Sequence, residues 1–184
     1  MKVLLLSGTP KREGLCHSCV AAAEAGVTQA GTDWETVRLC DYPIARCAVC
    51  HDGWGTCREE HFCCHGEDGF TAVQRKVAES GAYILITPVY WGDMTEIMKA
   101  FFDRLRRCEA TKGEYGAMAG KPVLLVASPG GSGNGMISCL EQMERLSRHL
   151  GARVYDFIGV NRWNRAYKLA AVTAAAASML RGAG

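Results

Sequence analysis

The chain has almost no net charge. Its 21 Lys and Arg are offset by 19 Asp and Glu, leaving a formal +2 over 184 residues. A nucleic-acid binder needs a basic patch to neutralise phosphates, so that class has no electrostatic support here. Long apolar runs are missing too. No stretch approaches the roughly 20 residues of a membrane span. The N-terminal run Val3–Leu6 is far too short for a secretory leader and is soon followed by Thr9-Pro10-Lys11-Arg12. These absences predict a cytoplasmic protein with no membrane and no nucleic-acid partner. In that compartment its ten cysteines are reduced thiols, metal ligands or redox groups rather than a disulfide framework. No Ser-His-Asp set, carboxylate pair or Cys-His pair stands out, so a bound cofactor would carry the chemistry. The chain has no Walker A motif, because no Gly-Lys-Ser/Thr follows Gly14, and no Gly-x-Gly-x-x-Gly. An ordinary dinucleotide fold is therefore disfavoured. There is no internal repeat and no linker.

Hydrophobic residues make up 48% and charged residues 22%, which is ordinary globular composition, and the length suits a single domain over 1–184. Short apolar runs at 2–6, about 34–39, 82–87, 122–127 and 152–160 read as strands. Helical patterns fall at about 15–30, 69–80, 94–107, 135–150 and 166–181. An irregular Cys-rich segment occupies 40–68. Strand–helix alternation of this kind predicts an α/β, doubly wound, five-stranded parallel sheet of flavodoxin-like order 2-1-3-4-5. Gly151 is expected to end the fourth helix. Asp93, with Glu96 three residues later, reads as a capping box that starts the third.

Three strands end in loops suited to a ligand. Lys2–Leu6 runs into Ser7-Gly8-Thr9-Pro10-Lys11-Arg12-Glu13-Gly14 and a helix from about Leu15. Backbone N–H groups at that helix start, with hydroxyls and two cations nearby, form an anion site. Ala82–Thr87 is expected to break at Pro88 into a loop bearing Tyr90, Trp91 and Gly92, which suits a flat conjugated ligand. Pro122–Ala127 leads into Ser128-Pro129-Gly130-Gly131-Ser132-Gly133-Asn134-Gly135, whose glycines allow close backbone approach. The bland alternatives are a solvated basic turn, core aromatics and a flexible loop. Lys99 and Asp103 read as a helix-surface ion pair, and Asp103-Arg104 as structural or at a subunit contact.

These motifs, with Thr87-Pro-Val-Tyr-Trp-Gly-Asp93 and Lys99-Ala-Phe-Phe-Asp103-Arg104 the most specific, resemble the NADPH-dependent FMN reductase and iron-sulfur flavoprotein branch of the flavodoxin-like superfamily. The resemblance covers essentially the whole chain. It implies FMN with its phosphate in loop 7–17, at Ser7, Thr9, Lys11, Arg12, Gly14, Leu15 and Cys16. The ring would lie against Pro88, Val89, Tyr90, Trp91, Gly92, Asp93 and Met94. The pyrimidine edge would lie near Ser128, Pro129, Gly130 and Gly131. Where the family usually carries Ser, Asn and Thr in the phosphate loop, this chain has Thr9, Leu15 and Cys16. The resemblance further implies NAD(P)H as co-substrate, a flavin or quinone reductase-like activity, and a homodimer or homotetramer.

Half of the cysteines form one cluster, Cys47-x2-Cys50-x6-Cys57-x5-Cys63-Cys64. Thiolates this dense suit a [4Fe–4S] cluster or a structural zinc, or remain loop thiols. The resemblance favours iron, although Gly53 stands where those relatives place a third cysteine. The candidate ligands are Cys47, Cys50, Cys57 and Cys63, with Cys63 preferred to Cys64 on spacing. His51, His61 and His65 read as solvent-facing. Cys16, Cys19, Cys40, Cys108 and Cys139 read as small core or helix residues. The leading function is an FMN-dependent oxidoreductase passing electrons from a nicotinamide or ferredoxin-type donor to a small-molecule or protein acceptor. The rivals are an iron-sulfur electron-transfer protein without a small-molecule substrate, and a zinc-stapled binding module.

Overall fold

The computed structural model describes residues 1–181. Five strands, β1 (Lys2–Ser7), β2 (Asp33–Arg38), β3 (Ala82–Val89), β4 (Pro122–Pro129) and β5 (Arg153–Gly159), form one sheet of order β2-β1-β3-β4-β5. Every pairing is parallel. The central strands are apolar without alternation because both of their faces are covered. Six helices connect and cover them: α1 (Leu15–Gln29), α2 (Thr56–Glu59), α3 (Gly69–Glu79), α4 (Glu96–Glu109), α5 (Met136–His149) and α6 (Arg165–Arg181).

Successive residues of β1 serve opposite faces, as strand geometry requires. Val3 and Leu5 pack with Val20, Val27 and Val172 under α1 and α6. Leu4 and Leu6 pack with Phe70, Phe101, Phe102 and Met143 under α3, α4 and α5. The α1–α6 contact is close because Gly26 has no side chain; a Cβ there would lie 2.3 Å from the Thr173 carbonyl oxygen. Among the described residues no helix is long and apolar enough to cross a membrane.

Several boundaries differ from the sequence reading. β3 runs through Pro88 to Val89, with Pro88 opposite Ser128, so the proline sits at a strand end where its missing N–H is tolerated. The 40–68 segment is not wholly irregular, since it contains α2. The Asp93–Glu96 capping box does not form. The N-cap of α4 is Thr95 and Glu96 is the first helical residue. Asp93 Oδ1 instead accepts from Met94 N at 2.7 Å. Thr95 N donates to Thr87 Oγ1 at 3.2 Å and Thr95 Oγ1 to the Gly8 carbonyl at 2.9 Å. These bonds start α4 against β1 and β3, and they override the local capping signal. Gly151 does end α5, in a left-handed conformation (φ 71°) with its N–H donating to the Arg148 carbonyl.

Candidate functional site

The strand order reverses between β1 and β3, and a cleft opens there at the carboxyl ends of the strands, as expected at such a switch point. It holds about 250 Å³. From the first loop it is lined by Thr9, Pro10, Lys11, Glu13, Gly14, Leu15 and Cys16. The α1 N-cap, Gly14, makes no side-chain capping bond, so the first-turn N–H groups face the cleft without a side-chain acceptor. Gly14 has φ 90° and ψ −174°, a region open essentially to glycine alone. Its missing Cβ faces open space. Thr9 is buried, and Lys11 N donates to its Oγ1 at 3.4 Å. Burial above all pushes the Cys16 thiol up to about 12, with the Cys19 charge adding and a Thr9 hydrogen bond opposing. Cys16 is therefore neutral at physiological pH and brings no negative charge to an anion.

Pro88, Val89 and Tyr90 line the same cleft from β3, and Ser128, Pro129 and Gly130 line it from β4. Ser128 is 3% exposed, and its Oγ is sealed from the cleft beside the Cys19 thiol. Tyr90 and Asp93 exchange backbone hydrogen bonds at 2.8 and 3.0 Å around a tight turn. Its central residues, Trp91 (φ 54°) and Gly92 (φ 81°), are both left-handed. Tyr90 and Trp91 are exposed, Trp91 completely, so neither is a core aromatic. Trp91 and Gly92 line an adjoining cavity of about 570 Å³ with Ser132, Asn134 and Ser138.

The second feature is a nest of sulfur. Cys47, Cys50, Cys57, Cys63 and Cys64 line one narrow cavity, and Cys108 of α4 joins them. It holds only about 10 Å³. The Cys50 and Cys64 sulfurs touch while their Cα atoms stand 7.7 Å apart, wider than the roughly 4.4–6.8 Å a disulfide spans. The backbone spacing of the pair is therefore not that of a disulfide. Among the described residues no group of three or more His, Cys, Asp or Glu is preset around a metal ion. The thiols are gathered but closed on one another.

Arg104 fixes the nest to α4. It is 1% exposed. Its Nε donates to Cys63 Sγ at 3.2 Å, and its NH1 and NH2 donate to Asp68 at 2.6 and 3.1 Å. NH1 also reaches the Ala45 carbonyl at 3.2 Å, and the guanidinium lies 4.2 Å over the Phe70 ring. Burial pushes the Asp68 carboxyl up, but the Arg104 bonds and charge and the Thr71 N–H outweigh it, so the carboxyl lies below its ordinary range. Arg107 donates to the Gly53 carbonyl and stacks on Trp54. The donor set fits a soft metal centre chemically: several thiols, with two guanidiniums to offset thiolate charge.

A model of the family described as NADPH-dependent FMN reductase matches residues 1–162. The chain belongs to this family. An iron-sulfur flavoprotein of Methanosarcina thermophila is 32% identical over 139 residues, covering 73% of this chain and 66% of that protein. One from Archaeoglobus fulgidus is 32% identical over 131 residues, covering 66% of this chain and 57% of that protein. The chain thus spans two thirds or less of these relatives' length. Among solved structures, an NAD(P)H:quinone oxidoreductase from Methanothermobacter marburgensis superposes with a TM-score of 0.72 at 17% identity, over 97% of this chain and 96% of that one. A flavodoxin from the domain Archaea does so with 0.65 at 12%, over 99% and 98%. At these identities the likeness shows the flavodoxin-like fold.

Within this FMN reductase-family fold the candidate residues separate. Thr9, Lys11, Gly14, Leu15, Cys16, Pro88, Val89, Tyr90, Ser128, Pro129 and Gly130 converge on one cleft. Ser7, Arg12, Asp93, Met94 and Gly131 do not line it. Ser7 is buried and its Oγ lies 3.4 Å from Thr9 N. Arg12 pairs with Asp41 at 3.3 Å, and Met94 is in the core. Lys99 and Asp103 form the expected surface pair, and Arg104 is structural. Of the cysteines read as small core or helix residues, one departs from that reading. Cys40 is exposed, and its Sγ lies 3.4 Å from the Thr9 carbonyl. Cys108 is a buried helix residue as read, and it also lines the sulfur cavity. Of the histidines, His51 and His65 are exposed, while His61 is half-buried with Nδ1 3.4 Å from Thr111 Oγ1.

Proposed function

We propose that this chain binds FMN in the 250 Å³ cleft and passes electrons from NAD(P)H or a ferredoxin-type donor to a small-molecule or protein acceptor. The observation that carries this reading is the uncapped start of α1 opening on the same cleft as the β3 and β4 strand ends. One supplies N–H donors for a phosphate, the others a wall for the ring. Gly14 leaves the phosphate room, and Lys11 adds positive charge. Ser7 and Thr9 shape the loop. Tyr90 walls the cleft, and Trp91 offers a ring face to a second planar group in the adjoining cavity. Bound FMN would supply hydride acceptance and single-electron release. The protein's part is to hold it and to expose one edge. In a cytoplasmic, reducing setting the ten cysteines are reduced thiols, metal ligands or redox groups rather than a disulfide framework.

The sulfur nest favours a second component. Cys47, Cys50, Cys57 and Cys63, with their neighbours, form the donor pool for a [4Fe–4S] centre that exchanges electrons singly with a protein partner. Iron and sulfide analysis after anaerobic purification tests this. Less than one iron per chain, with full FMN and intact NAD(P)H oxidation, would leave a plain flavin reductase with loop thiols or a zinc staple.

The FMN site is tested by titrating flavin-free protein with FMN. Wild type is expected to bind stoichiometrically and Gly14→Asp not at all. Gly14→Ala shares the backbone strain without the charge, so it separates the two effects. Equal FMN retention by Gly14→Asp would sink the assignment. Exposed Tyr90 and Trp91 at the cleft mouth also favour a homodimer or homotetramer whose second copy covers the flavin. A strictly monomeric species in sedimentation at micromolar concentration, with FMN tightly held, would refute that.

A further inference from the structure

Cys108 lies outside the cysteine-rich loop, on α4, one helical turn beyond Arg104. Residues four apart share a helix face, and both line the sulfur cavity. Arg104 already contacts that cavity by donating to Cys63 Sγ. The six thiols there form two tiers. Cys57, Cys63 and Cys108 are 8%, 6% and 0% exposed. Cys47 and Cys50 are half-buried and Cys64 is exposed. Cys47 also borders an outer groove with Arg46 and Arg106. Gly53 of the same loop has φ 107°, and its carbonyl accepts from Arg107.

We propose that Cys108 is a ligand of the thiolate metal centre, closing it from the helix side as the third member of the buried tier with Cys57 and Cys63. The proposal rests on the metal-centre reading above and deepens it. Cys57, Cys63 and one thiol of the outer tier supply the other ligands, in place of a fourth ligand from the loop. On binding, each thiol releases its proton to solvent. Arg104 and Arg107 hold positive charge against the resulting thiolates. A helix-borne ligand is fixed by the core, whereas a loop-borne ligand must first be ordered. Cys108 therefore ties metal occupancy to the packing of α4.

The test uses the full chain with FMN bound, under anaerobic conditions. One arm titrates Co²⁺, whose thiolate charge-transfer band reports sulfur ligation. The other reconstitutes with ferrous iron and sulfide. The variants are Cys108→Ser and Cys108→Ala, with Cys139→Ser as a control that is equally buried but outside the cavity. Wild type and Cys139→Ser are expected to bind Co²⁺ alike. Both Cys108 variants should bind it roughly tenfold or more weakly with a weaker band, while retaining FMN as proof of fold. Unchanged affinity and band in both Cys108 variants would overturn the proposal. If wild type takes Co²⁺ on thiolates but no iron and sulfide, the cluster reading fails and the ligand assignment stands on the cobalt difference. If wild type takes neither, both fail.

Discussion

Replacing Asp68 with alanine should destabilise the protein far more than loss of a surface acid. The Arg104 side chain is 0% exposed and that of Asp68 19%. Asp68 does two jobs. As N-cap of α3 its Oδ1 accepts from Phe70 N at 3.0 Å and Thr71 N at 3.4 Å, worth about 1 kcal/mol. It also neutralises a guanidinium that has no route to water. Stranding one partner of a buried pair costs about 3–5 kcal/mol. Because Asp68 is partly exposed, water can enter the space it leaves, and the low end applies. The sum is about 4 kcal/mol. At roughly 2–4 °C per kcal/mol for a chain of this size, Tm should fall by about 8–16 °C. Urea unfolding monitored by circular dichroism measures the change. Arg104→Met in the Asp68→Ala background should recover about 2 kcal/mol, since it removes the stranded charge and keeps the volume over Phe70. A loss of about 1 kcal/mol or less in the single variant, with no coupling in the cycle, would mean that Asp68 acts as a cap alone.

The same pair makes an acid limb. The Asp68 carboxyl lies below its ordinary 3.8 in the folded protein, so its contribution is complete above that value and is lost as pH falls through the lower folded value. Asp68→Asn should therefore flatten stability below about pH 4, and an unchanged acid limb in that variant would contradict it. Trp91 sits in the left-handed region at the first central position of a two-residue turn before Gly92. Asn-Gly is the favoured pair there, so Trp91→Asn should raise stability by about 0.5–1 kcal/mol while raising KM for the nicotinamide donor. Lower stability or an unchanged KM would remove the case that Trp91 is kept for binding.

The sheet and its ligand edge were legible because they rest on local rules. Buried runs such as Pro122–Ala127 are too short for helices, and the glycine-rich and aromatic loops after them already mark strand ends. Alternation of strands and helices then leaves few topologies, and the observed order is one of the two common ones. The cysteine loop was legible as a cluster because Cys47 to Cys64 lie close in sequence. What failed depended on long-range partners. The Asp93 cap lost to the tie between Thr95 and Gly8, and Arg12 pairs with Asp41 at the surface instead of lining the cleft. Burial of Arg104 required Asp68, Cys63 and Phe70 to arrive from another segment. Cys108 had no signal of its own in the sequence, since a lone cysteine on an amphipathic helix is ordinary core. Sequence spacing alone determined which thiols can share a loop. Only packing of that loop onto α4 decided that a sixth thiol shares its cavity, because which helix face meets which loop is settled by side chains distant along the chain.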